Sequence, residues 1–414
     1  MSKLDKLLRE LCPDGVECVK LGTLCSLITK QTGFDYTNHI KARLLMEPAE
    51  NAVPYIQTKF FAGKNFNYQT DYYVPMDIVE QFPKITLDEK CILFSIVGAS
   101  IGNVGLFPGE RKCFLGGAIC VAKVLPQYDV DYVYYCVESH NVQHQIRRKT
   151  KGAGQATITV EDIREFEIPL PPIEIQSEIV RILDNFTNLT AELVKELTAR
   201  KTQYGYYRNK FLDFESSVSV KTIGDICDVV VGGEPPTDCI KGDVRDSTHI
   251  YPVWGNGKEV YGYSGTYKID RDAVVISSIG ANTGAVYYKE AFFTPIIRLK
   301  VILPKDNRIN ARFLFHALSG TTIKSKSSSV PNMNANEIKA IKIPVPPLDV
   351  QNRIVNVLDN FEKICSDLNI GLPAEIEARQ KQYEYYRDKL LTFAETGNTI
   401  LSRAEQSRAE QSRA

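Results

Sequence analysis

The sequence IPLPP at residues 168–172 opens the stretch that decides the fold, which continues to Phe214. Near its end stands RKTQYGYYR at residues 200–208. The same stretch returns later, with IPVPP at residues 343–347 and RQKQYEYYR at residues 379–387. A repeat this long fixes the architecture of the chain, because both copies are expected to adopt the same structure.

Apolar residues recur at steps of three and four in both copies, which predicts two long helices at residues 169–215 and 343–396. The stripe is narrow and has a period near 3.5 residues, as a coiled-coil seam requires. Such a helix of about 40 residues is roughly 60 Å long. The residues predicted to pack along the seam are Phe186, Leu189, Leu193, Leu197, Tyr204, Tyr207, Phe361, Leu368, Tyr383 and Tyr386.

Matching seams permit either a dimer between chains or a helix pair within one chain, and the tethering of both copies favours the second. The copies differ in length by one helical turn. They are offset by 175 residues at Phe186 and Phe361 but by 179 residues at Arg200 and Arg379. The four extra residues of the second copy lie near residues 371–373, where Gly and Pro predict a break.

Residues 1–168 and 216–342 are predicted to be globular domains of the α+β class, because short β-branched and aromatic runs alternate with Gly, Asn and Pro. A helix is expected at residues 130–147 of the first domain. The predicted fold is therefore two globular domains separated by two long helices, with an internal pseudo-twofold repeat. Residues 397–414 repeat SRAEQ and are predicted to be a low-complexity tail that packs on nothing.

Composition excludes several classes of protein. The chain has 50 Lys+Arg and 50 Asp+Glu, so any surface for nucleic acid must come from local clusters of charge. No apolar run is long enough to predict a membrane span, and the charged N-terminus is unlike a signal peptide. The 10 cysteines form no CxxC pairs, which favours free thiols and a cytoplasmic location.

The sequence carries none of the motifs that organise a reaction. Residues 98–105 are rich in Gly but lack the spacing of a nucleotide-binding loop, so turns between strands explain them better. Residues 13–20 hold Pro-Asp, Glu and Lys at spacings that do not fit a nuclease. His140 and His144 stand one helical turn apart, and no third metal ligand accompanies them. We predict no catalytic residue, no metal site and no cofactor bound by this chain.

Two polar, basic segments are candidates for contact with DNA, since Arg and Lys neutralise phosphates while Gln, Asn and Ser can read base edges. Each segment precedes a proline run, at the same place in both repeats, and the competing interpretation is a solvated loop. The predicted DNA-binding residues are Arg147, Arg148, Lys149, Lys151, Gln155, Lys324, Lys326, Ser327, Asn332 and Asn334. Weaker candidates are the loops around Lys258, with Trp254 and Asn256, and around Lys30.

The repeated motifs resemble those of the specificity subunits of Type I restriction–modification enzymes. The resemblance rests on PLPPxxxQ at residues 169–176 with its twin at 344–351, and on ILDNF at 182–186 with VLDNF at 357–361. The RxxQYxYYR pair, LCPDGV at 11–16 and GLPAEI at 371–376 complete it. It extends over nearly the whole chain, although the SRAEQ tail is not part of the pattern.

The resemblance implies that each globular domain is a target-recognition domain for one half of a split, asymmetric DNA site. It implies that the two helices pair antiparallel and set the distance between the halves, with residues 190–193 resembling a spacer unit. The implied partners are double-stranded DNA, two methyltransferase subunits that carry S-adenosylmethionine, and motor and nuclease subunits that use ATP and Mg²⁺. The chain itself would be non-catalytic.

Two other functions remain possible at this stage. One is a free-standing DNA-binding or decoy protein without a methyltransferase partner. The other is a coiled-coil scaffold that binds no DNA.

Overall fold

The computed structural model describes residues 3–33, 35–151, 156–214, 218–243, 245–279, 282–319, 333–367 and 370–393. The chain forms two compact units, which we treat separately. Unit 1 comprises the chain up to Ala191 together with the residues from Glu377 onward. Unit 2 comprises Glu192–Ile376.

The first globular domain, in unit 1, contains seven helices in its described residues. They are α1 (Lys3–Leu11), α2 (Leu21–Leu24), α3 (Tyr36–His39), α4 (Met76–Gln81), α5 (Val130–Glu138), α6 (His140–Lys149) and α7 (Val160–Arg164). Its strands are β1 (Cys18–Lys20), β2 (Cys25–Lys30), β3 (Ala52–Ile56), β4 (Phe61–Ala62), β5 (Asn65–Phe66), β6 (Tyr73–Pro75), β7 (Thr86–Leu87), β8 (Cys91–Ser95), β9 (Val104–Phe107), β10 (Cys113–Leu115), β11 (Ile119–Val124) and β12 (Glu167–Pro169).

The long helix α8 (Ile173–Leu212) has residues in both units. The second globular domain follows, with helices α9 (Ile223–Ile226), α10 (Ala311–Ser319) and α11 (Ala335–Lys339). Its strands are β13 (Val220–Thr222), β14 (Cys227–Val231), β15 (Ile240–Lys241), β16 (Tyr251–Trp254), β17 (Gly262–Ser264), β18 (Ala273–Ile276), β19 (Val286–Lys289), β20 (Thr294–Pro295), β21 (Lys300–Pro304) and β22 (Lys342–Pro344). Helices α12 (Leu348–Ser366) and α13 (Leu372–Leu390) end the described chain.

One four-stranded sheet has the same topology in both domains, which is the structural form of the sequence repeat, whereas the second sheets carry their fourth strand, β7 or β15, at opposite edges. Unit 1 has sheets ordered β2-β11-β8-β9 and β6-β3-β10-β7, and unit 2 has β14-β21-β18-β19 and β15-β17-β16-β20. A two-stranded sheet, β1-β12 in one domain and β13-β22 in the other, joins the start of each domain to its end. The fold is mixed α and β, as predicted.

Each domain has two hydrophobic cores, one on either face of its central sheet. Alternate residues of a strand point to opposite faces. In β8, Ile92 and Phe94 therefore join the core beneath α5, while Cys91 and Leu93 join the core with the second sheet. The residues of β18 divide between two cores in the same way. In unit 1 the core beneath α5 also seats the domain on α8 and α13, whereas in unit 2 a separate core around Phe313, Ile354 and Leu358 packs α10 on α12.

The helix predicted at residues 130–147 is instead two helices. Ser139, between α5 and α6, has an extended backbone with φ −61° and ψ 155°. Helix α6 then continues to Lys149, so Arg147, Arg148 and Lys149 lie in its last turn rather than in a loop. Periodicity alone missed the break because apolar residues continue on both sides of it.

The long helices lie within the predicted ranges, and the second is divided near the predicted break. Helix α12 ends at Ser366 and α13 begins at Leu372. A Cβ atom on Gly371 would lie 2.5 Å from the carbonyl oxygen of Lys363 and 2.6 Å from that of Asp367. Only glycine lets the chain turn this close to the last carbonyls of α12.

The helices pair through aromatic stacking in each unit. In unit 1 the ring of Phe186 stacks on Tyr386, with centroids 5.4 Å apart. In unit 2 the ring of Tyr207 stacks on Phe361, with centroids 5.7 Å apart. Phe186 precedes Tyr207 along α8, but its partner Tyr386 follows Phe361, the partner of Tyr207. This order is that of an antiparallel pair.

The seam differs from the predicted one at several positions. Leu189 is 49% exposed, because the hydrophobic core of unit 1 along α8 ends at Phe186. Leu193 and Leu197 are half-buried, and Leu368 lies outside the described residues. The buried residues of α12 include Leu358 and Cys365, whereas the three-and-four spacing of apolar residues in the second copy passes through their neighbours Val357 and Ile364, which are exposed. The cause is that α12 also packs on α10 of its own domain, which draws the buried stripe toward that side.

Candidate nucleic-acid interface

The proline–glutamine motif fastens the start of each long helix to its domain. In unit 1 the side chain of Gln176 is buried and its amide nitrogen donates to the carbonyl of Pro171 at 2.7 Å. Its amide oxygen accepts from the backbone nitrogen of Asp129 at 3.0 Å, just before α5. A buried amide with satisfied hydrogen bonds fixes the position of α5 against α8.

Gln351 makes the same connection in unit 2. Its nitrogen donates to Pro346 O at 2.8 Å and to Arg308 O at 2.8 Å, and its oxygen accepts from Asn310 N at 2.9 Å. The two glutamines are 2% and 0% exposed. Both lie in the repeated proline motif, but no role was predicted for either. Their identical position in the two copies of the motif is the sequence feature that could have indicated a shared role.

The aspartate of the LDNF motif supplies a second anchor. In unit 1, Asp184 accepts from the Tyr135 hydroxyl at 2.5 Å and pairs with Lys64. Tyr135 belongs to α5, so the carboxylate holds the same domain helix that Gln176 holds. The pairing of Asp184 with Lys64 reaches the β4–β5 hairpin as well.

In unit 2 the corresponding Asp359 accepts from Arg312 Nη2 at 2.6 Å and from His316 Nε2 at 2.7 Å, both on α10. Glu362 also accepts from Arg312 Nη2, at 2.5 Å. Burial opposes ionisation of Asp359, but the hydrogen bonds from Arg312 and His316 outweigh burial and hold the pKa of this carboxyl below its ordinary value. Burial lowers the pKa of the His316 imidazole, which Asp359 offsets only in part.

The QYxYYR motif also contacts each domain, but each domain is contacted by the copy that belongs to the other repeat. Unit 1 contains the second copy, where Tyr383 donates to Glu138 Oε2 at 2.5 Å and Arg387 Nη1 lies 3.6 Å from the same carboxylate. Unit 2 contains the first copy, where the Tyr204 hydroxyl lies 3.2 Å from His316 Nδ1. Each domain is therefore held by the LDNF motif of its own repeat and the QYxYYR motif of the other. Tyr204 and Tyr383, which were predicted to pack along the seam, contact α10 and α5 of the globular domains here.

His316, Asp359 and Glu362 are, in the described part of the chain, the one group of three side chains close enough to hold a metal ion. This group was not predicted, unlike the weighed pair His140 and His144, because its members are distant in sequence. The guanidinium of Arg312 already supplies positive charge to both carboxylates. Its place in the anchor of unit 2 explains the cluster without a metal.

The predicted basic residues of unit 1 divide into two kinds. Arg147, Arg148 and Lys151 are exposed. Lys149 is half-buried, with its Nζ 3.5 Å from the carbonyl of Asp162 and 6.0 Å from the ring centroid of Phe166. The structure thus places three exposed cations at and just after the end of α6, while Lys149 packs on its own domain.

The other predicted DNA-binding residues are described only in part. Gln155, Lys324, Lys326, Ser327 and Asn332 lie outside the described residues. Asn334 is the N-cap of α11, and its side-chain oxygen accepts from the backbone nitrogens of residues 336 and 337. That oxygen therefore caps the helix, a structural role that was not predicted for Asn334.

Of the weaker candidates, Lys258 is exposed and Lys30 is half-buried at the end of β2, while Trp254 and Asn256 are built into their domain. The amide of Asn256 joins Ile297 O to the backbone nitrogen of Ser278, which lies 2.7 Å from Asn256 Oδ1. The Nζ atom of Lys289 lies 3.0 Å from the ring centroid of Trp254. Burial lowers the pKa of Lys289 to about 8. These contacts give both side chains a structural explanation.

The comparisons with known proteins agree with this architecture. The family model of the Type I restriction modification DNA specificity domain matches residues 13–200 and 215–378, one match for each repeat. The chain belongs to this family. The assignment agrees with the prediction of a non-catalytic subunit with two recognition domains and long helices.

Individual relatives support the assignment. The chain is 36% identical over 258 residues to the specificity subunit of the Type I restriction enzyme EcoR124I/EcoR124II from Escherichia coli, covering 56% of this chain and 63% of that subunit. It thus spans less than two thirds of the length of that relative. It is 34% identical over 257 residues to a putative type I specificity subunit of Mycoplasma pneumoniae, covering 58% of this chain and 76% of the relative.

Solved structures show the same fold. The crystal structure of a Type I restriction–modification S subunit from M. genitalium matches 92% of this chain and 98% of its own, with a TM-score of 0.56 at 18% identity. A chain from a structural study of complex assembly and conformational transition of the type I R-M system matches equally well, at 16% identity. Across the described residues, no helix has the length and apolar character to cross a membrane.

Proposed function

We propose that this chain is the sequence-specific DNA-recognition subunit of a Type I restriction–modification complex and acts in the cytoplasm. Each globular domain reads one half of a bipartite, asymmetric site. The observation that carries the proposal is the exchange of motifs: each domain is anchored to the LDNF motif of its own repeat and to the QYxYYR motif of the other repeat. Two methyltransferase subunits supply S-adenosylmethionine, and motor and nuclease subunits supply the ATP- and Mg²⁺-dependent steps.

The proposal is tested by sequencing modified bases in DNA from cells that express this chain beside its neighbouring methyltransferase gene. A new split motif with methyladenine in both halves is expected, and cells without the chain lack it. If soluble subunits yield no new motif, the decoy or scaffold function replaces this one. Salt-sensitive binding to duplex DNA then separates those two alternatives.

The exposed cations in and just after the last turn of α6 are proposed to contact DNA phosphates near the half-site of unit 1. Replacing Arg147 and Arg148 together by alanine should weaken duplex binding about equally for all sequences, and should reduce the slope of log affinity against log salt by about two. Fluorescence anisotropy over a salt series measures both quantities. The matched control is Arg9→Ala with Arg43→Ala, which removes two exposed arginines on other elements of unit 1. Equal slopes for the two double variants would exclude a phosphate contact.

The long helices are proposed to set the distance between the two half-sites. Duplicating residues 190–193 adds one turn, roughly 6 Å, to α8. Since base pairs rise about 3.4 Å, the unread spacer of the methylated motif should lengthen by one or two base pairs. Modified-base sequencing reads the spacer directly. If the chain with the longer helix gives a motif with the original spacer, the helices do not set the distance between the half-sites.

The same helices present a repeated outward surface that packing within the chain does not explain. Tyr206 is 60% exposed and Tyr385 is 57% exposed, although each lies beside a tyrosine of the seam. In both copies a lysine four residues later lies over the ring, with Lys210 Nζ 5.8 Å and Lys389 Nζ 5.5 Å from the centroid. Exposed tyrosines are typical anchors of protein interfaces. We propose that each docks one methyltransferase subunit.

A further inference from the structure

A single seven-residue stretch of unit 2 holds every non-glycine residue with a positive φ angle among those that the structure describes. The angles are 68° at Phe292, 51° at Ile297 and 59° at Arg298. For a β-branched residue such as isoleucine this conformation is a true outlier. Strain of this kind persists only where the surroundings enforce it, and it concentrates at functional sites.

Hydrogen bonds hold the strained turn from both sides. The backbone nitrogens of Ile297 and Arg298 donate to Gly233 O at 2.9 Å and to Gly232 O at 3.1 Å. The carbonyl oxygen of Arg298 accepts from Ser278 Oγ at 2.8 Å and from Lys300 Nζ at 3.1 Å. The turn is therefore one fixed conformation and presents its side chains in a fixed direction.

The topology of the domain does not require this strain. Strand β20 leads into β21 through residues 296–299, and the corresponding strands of unit 1, β10 and β11, are joined by residues 116–118. The unit 1 connection contains no residue of positive φ. Unit 2 makes this connection with a longer, strained turn, although the other domain makes it without strain. The strain is therefore not a requirement of the fold, and we look for its reason in function.

The turn displays a cation. Arg298 is exposed, and its guanidinium has no hydrogen bond or ion pair with the residues that the structure describes. The exposed Lys268 lies beside the turn, since its Nζ is 3.9 Å from the position that a Cβ on Gly233 would take. A fixed turn that carries a guanidinium beside a second cation is suited to DNA, which offers anionic phosphates and planar base edges with hydrogen-bond acceptors.

We propose that Arg298 is a specificity-determining residue that contacts the O6 and N7 atoms of a guanine in the half-site of unit 2. This inference rests on the proposed function, because it places the second half-site against the β20–β21 turn. The planar fork of arginine matches the two acceptors of guanine in the major groove. A fixed turn keeps the fork in register, which a flexible loop would not do.

The test is Arg298→Gly, expressed with the methyltransferase and followed by modified-base sequencing. Glycine accepts positive φ, so this variant removes the guanidinium while relaxing the backbone, and its Tm should equal or exceed that of the parent. One G·C position in one half of the motif should lose discrimination by about tenfold or more, while the other half stays unchanged. Arg298→Lys keeps the charge but not the fork, and should relax the same position.

Arg308→Ala is the matched control. It removes the same charge from the same unit, but Arg308 Nη2 is paired with Asp306 at 2.6 Å. The control should leave the motif unchanged. If the methyltransferase complex of the parent chain modifies a split motif and the complex of Arg298→Gly modifies the same motif as fully, the inference is overturned while the proposed function stands. A lower Tm for Arg298→Gly would also overturn it, by assigning the residue to folding. Absence of any motif with the parent chain would instead refute the proposed function.

Discussion

Replacement of Asp359 by alanine is expected to lower the Tm by about 5–10 °C, which corresponds to about 2–3 kcal/mol for a domain of this size. The carboxylate accepts from Arg312 and from the fully buried His316, so its loss leaves a partly buried guanidinium short of one acceptor and a buried imidazole nitrogen without one. Thermal unfolding followed by circular dichroism measures the change.

Asp349→Ala is the control for this substitution. Asp349 lies on the same helix and pairs with Arg353 at 3.0 Å, but both side chains are more than 60% exposed. Exposed pairs contribute about 0–1 kcal/mol, so the control should change Tm by about 3 °C or less. Equal losses in the two variants would show that Asp359 does not anchor α10 to α12.

The same anchor makes unit 2 sensitive to acid. The folded pKa of His316 is lowered from 6.5, mainly by burial, so the unfolded chain takes up a proton first as the pH falls. The stability that His316 contributes is therefore complete above pH 6.5 and declines below it. Asp359, whose folded pKa is also lowered, adds a second loss at still lower pH, below its ordinary value of 3.8. In His316→Gln the decline just below pH 6.5 should be smaller.

The parts of the fold that the sequence could predict are those that leave a periodic or repeated trace. The long helices have an apolar stripe with a period near 3.5 residues, and the sequence repeat shows where both of them lie. The change of offset between Phe186 and Arg200 located the break before α13 because an insertion can be counted without a structure. The sheets of the two domains were predictable only as a class, since short runs do not specify strand order.

What could not be predicted depends on contacts between distant residues. The buried stripe of α12 shifts from Ile364 to Cys365 because the helix packs on two neighbours, and a single-seam pattern describes only one. The exchange of the tyrosine motifs between units follows from the folding of the chain back on itself. The candidate site was harder still, because the strain at Arg298 is a backbone property that side-chain identity does not reveal.

The double variant Tyr206→Ala, Tyr385→Ala is expected to bind no methyltransferase and to reduce site-specific methylation by about a hundredfold or more. Truncating an exposed aromatic anchor costs an interface about 2–4 kcal/mol, and here each of two equivalent interfaces loses one. Both rings are more than half exposed, so the Tm of the free chain should hardly change. Native mass spectrometry of the purified complex counts the bound subunits.

The single variants make this prediction sharper, because each should retain one methyltransferase where the parent chain retains two. Val194→Ala is the control, since it shortens another exposed apolar side chain of α8, one that is 47% exposed. It should bind two subunits. A double tyrosine variant that still binds two would mean that the repeated tyrosines have another role. Loss of both subunits in either single variant would mean that the two interfaces are not independent, and that docking at one repeat depends on the other.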